Sequence, residues 1–298
     1  MKKNGKSFRI INGRNATRYE HPYIVAILAV PPESPDTSEG LKKSNKVKKL
    51  KASFNFGAGS ILGDRWVITA KHVVMKNGSG YPPDWRLEVL PKYDNDIRKM
   101  ASNKELKRFT PKRIFCPPVD PSKISWATDL ALIKLSEPIP LNRPPEYFQS
   151  IRIAEKINWT ENIVVAGWGK TDGADQSSQF NDLHYGELSQ FVVSCPNECE
   201  LMYNAVSGNE SNVCHGDSGG PAVIRNKITL IDELVGVTSY GDDNCAQFSG
   251  FINLTAYKDW ILDIILNEQK RLDCRKQASM SSYNNVNTNS YLLPQMMS

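Results

Sequence analysis

Short apolar runs punctuated by Gly, Pro and Asn dominate this chain: Tyr23 to Val30, Ser60 to Ile61, Trp66 to Thr69, Leu87 to Leu90, Leu130 to Leu135, Ile163 to Ala166, Pro221 to Ile224 and Leu234 to Ser239. Many short strands separated by turn signals predict an all-β sandwich or barrel. One segment breaks the pattern. From Ala256 to Leu272, Tyr257, Trp260, Ile261, Ile264, Ile265 and Leu272 recur at helical intervals opposite Lys258, Asp259, Glu268 and Gln269, which predicts an amphipathic C-terminal helix capping the last barrel. The Pro-rich stretch from Pro138 to Pro145 lacks the amide donors of an interior strand and reads as an interdomain connector. Residues 273–298 are rich in Ser and Asn and read as a disordered tail.

Length and charge change this picture little. The 298 residues can form one large domain or two small ones. The net charge of +5 is local: Lys42, Lys43, Lys46, Lys48, Lys49 and Lys51 lie in ten residues without an acid, and the other 31 basic residues face 32 acidic ones. No aromatic interleaving or binding motif accompanies the cluster, so it reads as a solvated insertion and nucleic-acid binding is not expected. An anionic glycan is the partner such a loop would suit. No run approaches the roughly 20 apolar residues that span a bilayer. Behind Lys2 and Lys3 stand Asn4, Gly5, Lys6 and Ser7 where a secretory leader would be apolar, so either the chain takes another route or its true start lies upstream. Acceptor sequons at Asn15, Asn77, Asn158, Asn209 and Asn253 suit an extracellular history.

The chemistry concentrates at Cys214-His215-Gly216-Asp217-Ser218-Gly219-Gly220-Pro221. A serine hydroxyl is a weak nucleophile and needs an adjacent base, while flanking glycines let the backbone turn and aim amides at a reacting carbonyl. The same string also fits the nucleophile elbow of the α/β-hydrolases, where the histidine follows the serine. Here the histidines are His21, His72, His184 and His215, all upstream of Ser218. His72 ends the strand-like Trp66-Val67-Ile68-Thr69-Ala70-Lys71, where a loop can present it. His215 is too close in sequence to swing onto Ser218. A carboxylate that orients the imidazole belongs beside buried apolar chain, and Asp129 directly precedes Leu130-Ala131-Leu132-Ile133.

With His, Asp and Ser in that order, the chain resembles the trypsin and chymotrypsin family over roughly Ile10 to Leu272. Arg9-Ile10-Ile11-Asn12-Gly13 is similar to the family's activation site, Gly167-Trp168-Gly169 to a motif of its second domain, and Ser239-Tyr240-Gly241 to its substrate-backbone strand. The resemblance implies two packed six-stranded antiparallel β-barrels with the cleft between them: residues 10–145 and 146–255, the helix over 256–272, and a propeptide-like segment over 1–9. It implies a serine endopeptidase in which His72 takes the proton of Ser218, Asp129 stays ionised, the amides of Gly216 and Ser218 hold the oxyanion, and Ser239 supports the aspartate. It also implies a zymogen. Cleavage after Arg9 would free the Ile10 ammonium to pair with Asp217, whose unpaired burial would otherwise cost about 3 to 5 kcal/mol.

The family's primary pocket maps onto Asn212 at its floor, Val213 beside it, and Gly241 and Gly250 in its walls. A neutral amide cannot pair with a buried cationic head group, so cleavage after Arg or Lys is not expected; a bulky apolar or amide-bearing side chain fits better. Asp242 and Asp243 lie near the rim. The bridge that flanks the family's catalytic histidine maps to Gly57 and Val73, so both ends are absent. Cys214 and Cys245 match the pair that staples the pocket loops. Cys195 and Cys199 fall where another family bridge lies, whose second partner position is Asn204; they either join each other or stay free. Cys116 with Cys274 would tie the first barrel to the helix. Six cysteines allow fifteen pairings.

No cofactor is expected, and no metal-ligand spacing stands out. The partners implied are protein or peptide substrates, an activating protease and protein inhibitors, in an extracellular setting. The alternative reading is a catalytically silent homologue acting as a binding or decoy module.

Overall fold

The computed structural model describes residues 10–32, 55–75, 81, 84–118, 125–157, 161–170, 182–189, 191–193, 201–205, 211–226, 229 and 231–267. Arg9, the Lys42–Lys51 run, Cys195, Cys199, Cys274 and the polar tail lie outside them. Two units are distinguished, Met1–Ala256 and Tyr257–Ser298.

Among the described residues the first unit holds fifteen strands: β1 Arg14–Asn15, β2 Ile24–Val30, β3 Asn55–Gly63, β4 Trp66–Thr69, β5 Arg86–Pro91, β6 Pro111–Phe115, β7 Ala131–Leu135, β8 Arg152–Ile153, β9 Ile163–Gly167, β10 His184–Leu188, β11 Phe191–Val193, β12 Leu201–Ala205, β13 Pro221–Arg225, β14 Asp232–Gly241 and β15 Phe248–Asn253. Two short helices, α1 Lys71–Val74 and α2 Ile97–Ser102, and a 3-10 turn, Ser125–Thr128, complete it. The strands sort into two sheets with few helices, as the two-barrel expectation requires.

Six strands form the first sheet in the order β5-β2-β3-β4-β7-β6, all antiparallel. Its edges meet: Val89 of β5 and Phe109, just before β6, exchange backbone hydrogen bonds of 2.7 and 2.9 Å. That exchange closes the sheet on itself and removes its open edge. The second sheet runs β1-β10-β9-β13-β14-β15-β12-β11, with β8 parallel to β14. It has nine strands rather than six, because the short β1 and β8 add to it and β11 extends its edge. Although β1 comes first in sequence, it pairs with β10 of this second sheet. No strand lies between 136 and 151, a stretch that contains the Pro-rich segment from Pro138 to Pro145, where Pro144-Pro145 is cis.

Strand β2, Ile-Val-Ala-Ile-Leu-Ala-Val, is apolar without alternation, and the reason is that both its faces are covered. Ile24, Ala26 and Leu28 belong to a cluster with Ala166, Trp168 and Leu183 of the second half. Ile27, on the opposite face, reaches toward Gly59 and Val67 inside the first barrel. The sheets therefore share a packed seam. Lys92, just after β5, pins the N-terminal segment to it. Its buried ammonium donates to the carbonyls of Thr17 at 2.9 Å, Arg18 at 3.1 Å and Glu20.

In the second unit, residues 258–267 are helical, so the described helix starts two residues later than the pattern suggested, with 254–257 forming a turn. Ile261 in the helix and Tyr257, four residues before it in the turn, are buried, whereas Leu262 and Leu266 are exposed.

Candidate active site

Strand pairing brings two of the three candidate catalytic residues together. Thr69 of β4 lies opposite Ala131 of β7 in antiparallel register, so the residues just past β4 and just before β7 emerge at the same end of the barrel. His72, on α1, and Asp129, after the 3-10 turn, occupy those places. Asp129 Oδ2 meets His72 Nδ1 at 2.7 Å, and Asp129 Oδ1 accepts the His72 backbone amide at 2.9 Å. Two contacts from one carboxylate set both the ring's position and its tautomer, with the proton on Nδ1 and Nε2 left to accept another. Ser239 Oγ donates to the same Oδ2 at 2.5 Å. Asp129 is 6% exposed, whereas the His72 side chain is 39% exposed, so the carboxylate is sheltered and the imidazole opens to solvent.

Ser218 sits on a glycine-built loop whose main chain packs beside β3. Its carbonyl accepts the amide of Ala58 in β3 at 2.7 Å, and the neighbouring Gly219 amide donates to Thr238 in β14 at 2.8 Å. The loop thus bridges the two sheets. Gly216 has φ 100 and Gly219 φ 80, in the left-handed region that glycine alone enters without strain. A Cβ on Gly219 would lie 2.2 Å from both the Ala58 carbonyl oxygen and Thr69 Oγ1, so no side chain fits there. Ser218 itself is half-buried.

Behind the serine, Asp217 is fully buried. Its carboxylate accepts the amides of Gly169 at 2.7 Å and Cys214 at 2.9 Å. Burial, opposed by these two amides, raises its pKa from 3.8 to about 7. Among the described residues no cation pairs with it. Ile10 is also wholly buried, in a cluster with Val213, Leu188 and Phe251. Ile11 and Asn212 exchange backbone hydrogen bonds of 3.0 and 3.1 Å, so the segment that follows Arg9 is docked on the loop that leads to Asp217.

A family model described as Trypsin matches residues 10–261. The chain belongs to the trypsin family. Serine protease ea of Drosophila melanogaster is 28% identical over 243 residues, covering 70% of this chain and 59% of that protein. The chain thus spans about three fifths of that relative's length. Thrombin-like enzyme elegaxobin-1 of Protobothrops elegans is 26% identical over 221 residues, covering 70% of this chain and 84% of the relative. A trypsin of Simulium vittatum is 26% identical over 198 residues, covering 63% and 71%.

The residues that the family resemblance maps to the primary pocket lie near one another. Asn212 is fully buried and hydrogen-bonded at both ends of its amide: Nδ2 donates to the Cys245 carbonyl at 2.8 Å, and Oδ1 accepts the Val213 amide at 3.0 Å and the Ser249 hydroxyl. Gly241 has room only up to the Phe248 carbonyl, 3.1 Å from where its Cβ would stand. At Gly250, expected to leave space for a substrate, a Cβ would lie 2.3 Å from Tyr240 Cε1 and Cζ, so the ring of its cross-strand partner covers its Cα. The Cys214–Cys245 disulfide is formed. Cys116 is a free thiol, so it does not tie the first barrel to the helix.

The absent histidine-loop bridge leaves a packed site. A Cβ on Gly57 would fall 2.7 and 2.8 Å from the two methyls of Val73, so these positions do face each other and the valine fills the gap. The reason for Gly167-Trp168-Gly169 was not legible in the sequence. A Cβ at Gly167 would lie 2.0 Å from Asp217 Oδ1, and one at Gly169 2.5 Å from its Cγ, so the glycines make the cradle for that carboxylate. The Asn253 sequon is closed to glycosylation, because Asn253 is buried and its Oδ1 accepts from the Thr255 amide and hydroxyl; Asn15 is exposed. Among the described residues no helix is long and apolar enough to cross a membrane, and no cluster of three or more His, Cys, Asp or Glu is placed to hold a metal.

Proposed function

We propose that the chain hydrolyses peptide bonds through an acyl-enzyme formed on Ser218. The observation that carries this reading is the hydrogen-bond chain Ser239 to Asp129 to His72 at one barrel end, with the Ser218 main chain anchored on the adjacent strand. His72 Nε2 removes the hydroxyl proton as Ser218 Oγ attacks the substrate carbonyl, then gives it to the departing amine. Asp129 remains ionised and stabilises the imidazolium. The amides of Gly216 and Ser218 receive the oxyanion; in such sites one donor contributes about 2.7 to 4 kcal/mol to the transition state. Water, activated by the same histidine, then releases the acyl group.

The neutral, buried amide of Asn212 supports a non-tryptic preference, for a bulky apolar or amide-bearing side chain before the scissile bond. Cleavage after Arg9 by an activating protease frees the Ile10 ammonium to neutralise Asp217, so the uncut chain is a zymogen. The basic Lys42–Lys51 run docks an anionic glycan, which salt-dependent retention on heparin tests. Protein inhibitors and an extracellular setting follow from the family.

The test is labelling by a serine-directed fluorophosphonate after treatment with a trypsin-like activator. Labelling that appears together with a new N-terminus at Ile10 and disappears in Ser218→Ala is the expected result. An activated wild type that does not label would overturn catalysis and leave the silent, binding homologue. Predominant cleavage of a peptide library after Arg or Lys would overturn the reading of Asn212.

A further inference from the structure

Of the acceptor sequons in this chain, those at Asn77, Asn158 and Asn209 lie outside the described residues, and the structure separates the other two. An asparagine-linked oligosaccharide is bulky and solvated, so a folded chain accommodates it only where the acceptor amide faces water and gives up no hydrogen bond. Asn253 fails on both counts. It is 5% exposed, Leu254 beside it is wholly buried, and its Oδ1 closes a local turn by accepting the Thr255 amide at 3.1 Å and hydroxyl at 2.7 Å.

Asn15-Ala16-Thr17 is built the other way, with its middle residue as the anchor. Ala16 is buried in the seam cluster with Ile24, Trp168 and Leu183; its amide donates to the Leu183 carbonyl at 2.9 Å, and its own carbonyl accepts Asn95 Nδ2 at 2.6 Å. With Ala16 fastened inward, alternation along extended chain turns Asn15 and Thr17 outward, and both are exposed. The Asn15 side chain makes no hydrogen bond among the described residues. Strand β1, which carries it, ends the second sheet: among the described residues no strand flanks it on the side away from β10. Nearby, Tyr19 is 73% exposed. Lys92 grips the carbonyls of Arg18 and Glu20 on either side of it, so this ring is held in solvent. Four residues of chain separate Tyr19 from Asn15 by at most about 14 Å, and the turn that brings the Glu20 amide within 3.3 Å of the Thr17 carbonyl shortens that span.

We propose that Asn15 is an N-glycosylation site whose oligosaccharide covers Tyr19 and the outer edge of β1, while Asn253 stays bare in the folded protein. The inference rests on the extracellular setting in the proposed function, because the sugar donor, a lipid-pyrophosphate-linked oligosaccharide, is met on the secretory route. Asn15 Nδ2 attacks the anomeric carbon of that donor; the C–N bond forms as the C–O bond to pyrophosphate breaks, the lipid pyrophosphate departs, and the nitrogen gives up one proton. A chain glycosylated at Asn253 could not close its turn on Thr255.

The full chain, produced in animal cells behind a cleavable secretory leader, tests this. Peptide N-glycosidase in ¹⁸O water converts each glycosylated asparagine to an aspartate that carries the label, and peptide mass spectrometry locates it. Label at Asn15 and none at Asn253 is expected, with the Asn15 label kept in Thr17→Ser and lost in Thr17→Ala; Asn15→Gln replaces the latter if it folds poorly. Hydroxyl-radical oxidation of Tyr19, measured relative to Leu266, should rise severalfold once the sugar is removed from the native protein. Secreted protein without label at Asn15, or with label at Asn253, overturns the assignment of the site. Equal Tyr19 oxidation before and after removal overturns the cover. Unlabelled Asn15 in activated protein that reacts with fluorophosphonate at Ser218 leaves catalysis standing, whereas labelled Asn15 in protein that does not react supports the glycan and overturns catalysis.

Discussion

Replacing Asp217 by asparagine is expected to change the pH dependence of stability in the uncut chain. Burial holds the Asp217 carboxyl at about 7, against an ordinary 3.8, and only the amides of Cys214 and Gly169 oppose that shift. Between those values the native chain keeps a proton that the unfolded chain has released. Its contribution to stability is therefore fully present below about pH 3.8 and is lost as pH rises through about 7. About three pKa units at 1.36 kcal/mol each give a loss of about 4 kcal/mol. That agrees with the order of magnitude for a buried charge left without its partner. The asparagine side chain cannot titrate, although it satisfies one amide fewer, at a pH-independent cost of about 1 to 3 kcal/mol. Denaturant unfolding of Ser218→Ala and Ser218→Ala/Asp217→Asn, measured at intervals from about pH 4 to about pH 8, isolates the effect because all other groups are common to both. The parent should lose about 4 kcal/mol relative to the double variant across that range, and the slope should vanish in chain cleaved after Arg9. Parallel curves, within about 1 kcal/mol, would refute the reasoning.

A second buried group acts in the opposite sense over nearly the same window. His21 is held neutral, its pKa pushed to about 4 by burial and next by the nearby Lys92, with Asp232 and Glu20 opposing; its Nδ1 meets Tyr23 Oη at 3.0 Å and its Nε2 has no hydrogen-bond partner among the described residues. Its contribution is present above about pH 6.5 and is lost, by about 3 kcal/mol, as pH falls through about 4; His21→Asn, which tolerates the local φ of 54, should flatten that acid limb in the same unfolding series. Asp129→Asn should lower kcat by about 10⁴, the magnitude known for this type of triad, by presenting the wrong tautomer. Ser239→Ala, which removes one of the three donors to that carboxylate, should lower kcat about 5- to 30-fold without changing KM. At the histidine loop, Gly57→Ala should destabilise by about 1 to 3 kcal/mol because its methyl would overlap those of Val73, whereas Gly57→Cys with Val73→Cys should form a bridge that raises stability by about 2 to 4 kcal/mol and is lost on reduction.

The first barrel was readable because its strands are apolar on both faces or end on sharp turns. Trp66–Thr69 was delimited from sequence as it stands in the structure, and β2 and β7 to within a residue. Strand β6, Pro-Lys-Arg-Ile-Phe, was missed because it lies at the seam of the closed barrel and needs little apolar surface. Strand β15 hid its pattern behind Ser249, Gly250 and Asn253, residues that serve the pocket and a turn. Helix α2, one and a half turns capped by Asp96, is too short for periodicity to reveal it. The histidine and aspartate were found because chain order and strand flanks restrict them. What Gly250 and Gly167 accommodate was not legible, since a glycine names no neighbour: one faces the Tyr240 ring and the other the Asp217 carboxylate.

The methyls of Val73 against Gly57 and the bridge between Cys214 and Cys245, the one disulfide among the described residues, give the two loops separate fates in a reducing environment. His72 and Asp129 are held by packing and hydrogen bonds that a thiol cannot attack. The loop bearing Gly216, Asp217 and Ser218 is tied covalently to the Cys245 segment, whose carbonyl also holds the Asn212 amide. Reductant therefore loosens the loop that carries Ser218 and leaves the His72–Asp129 pair intact.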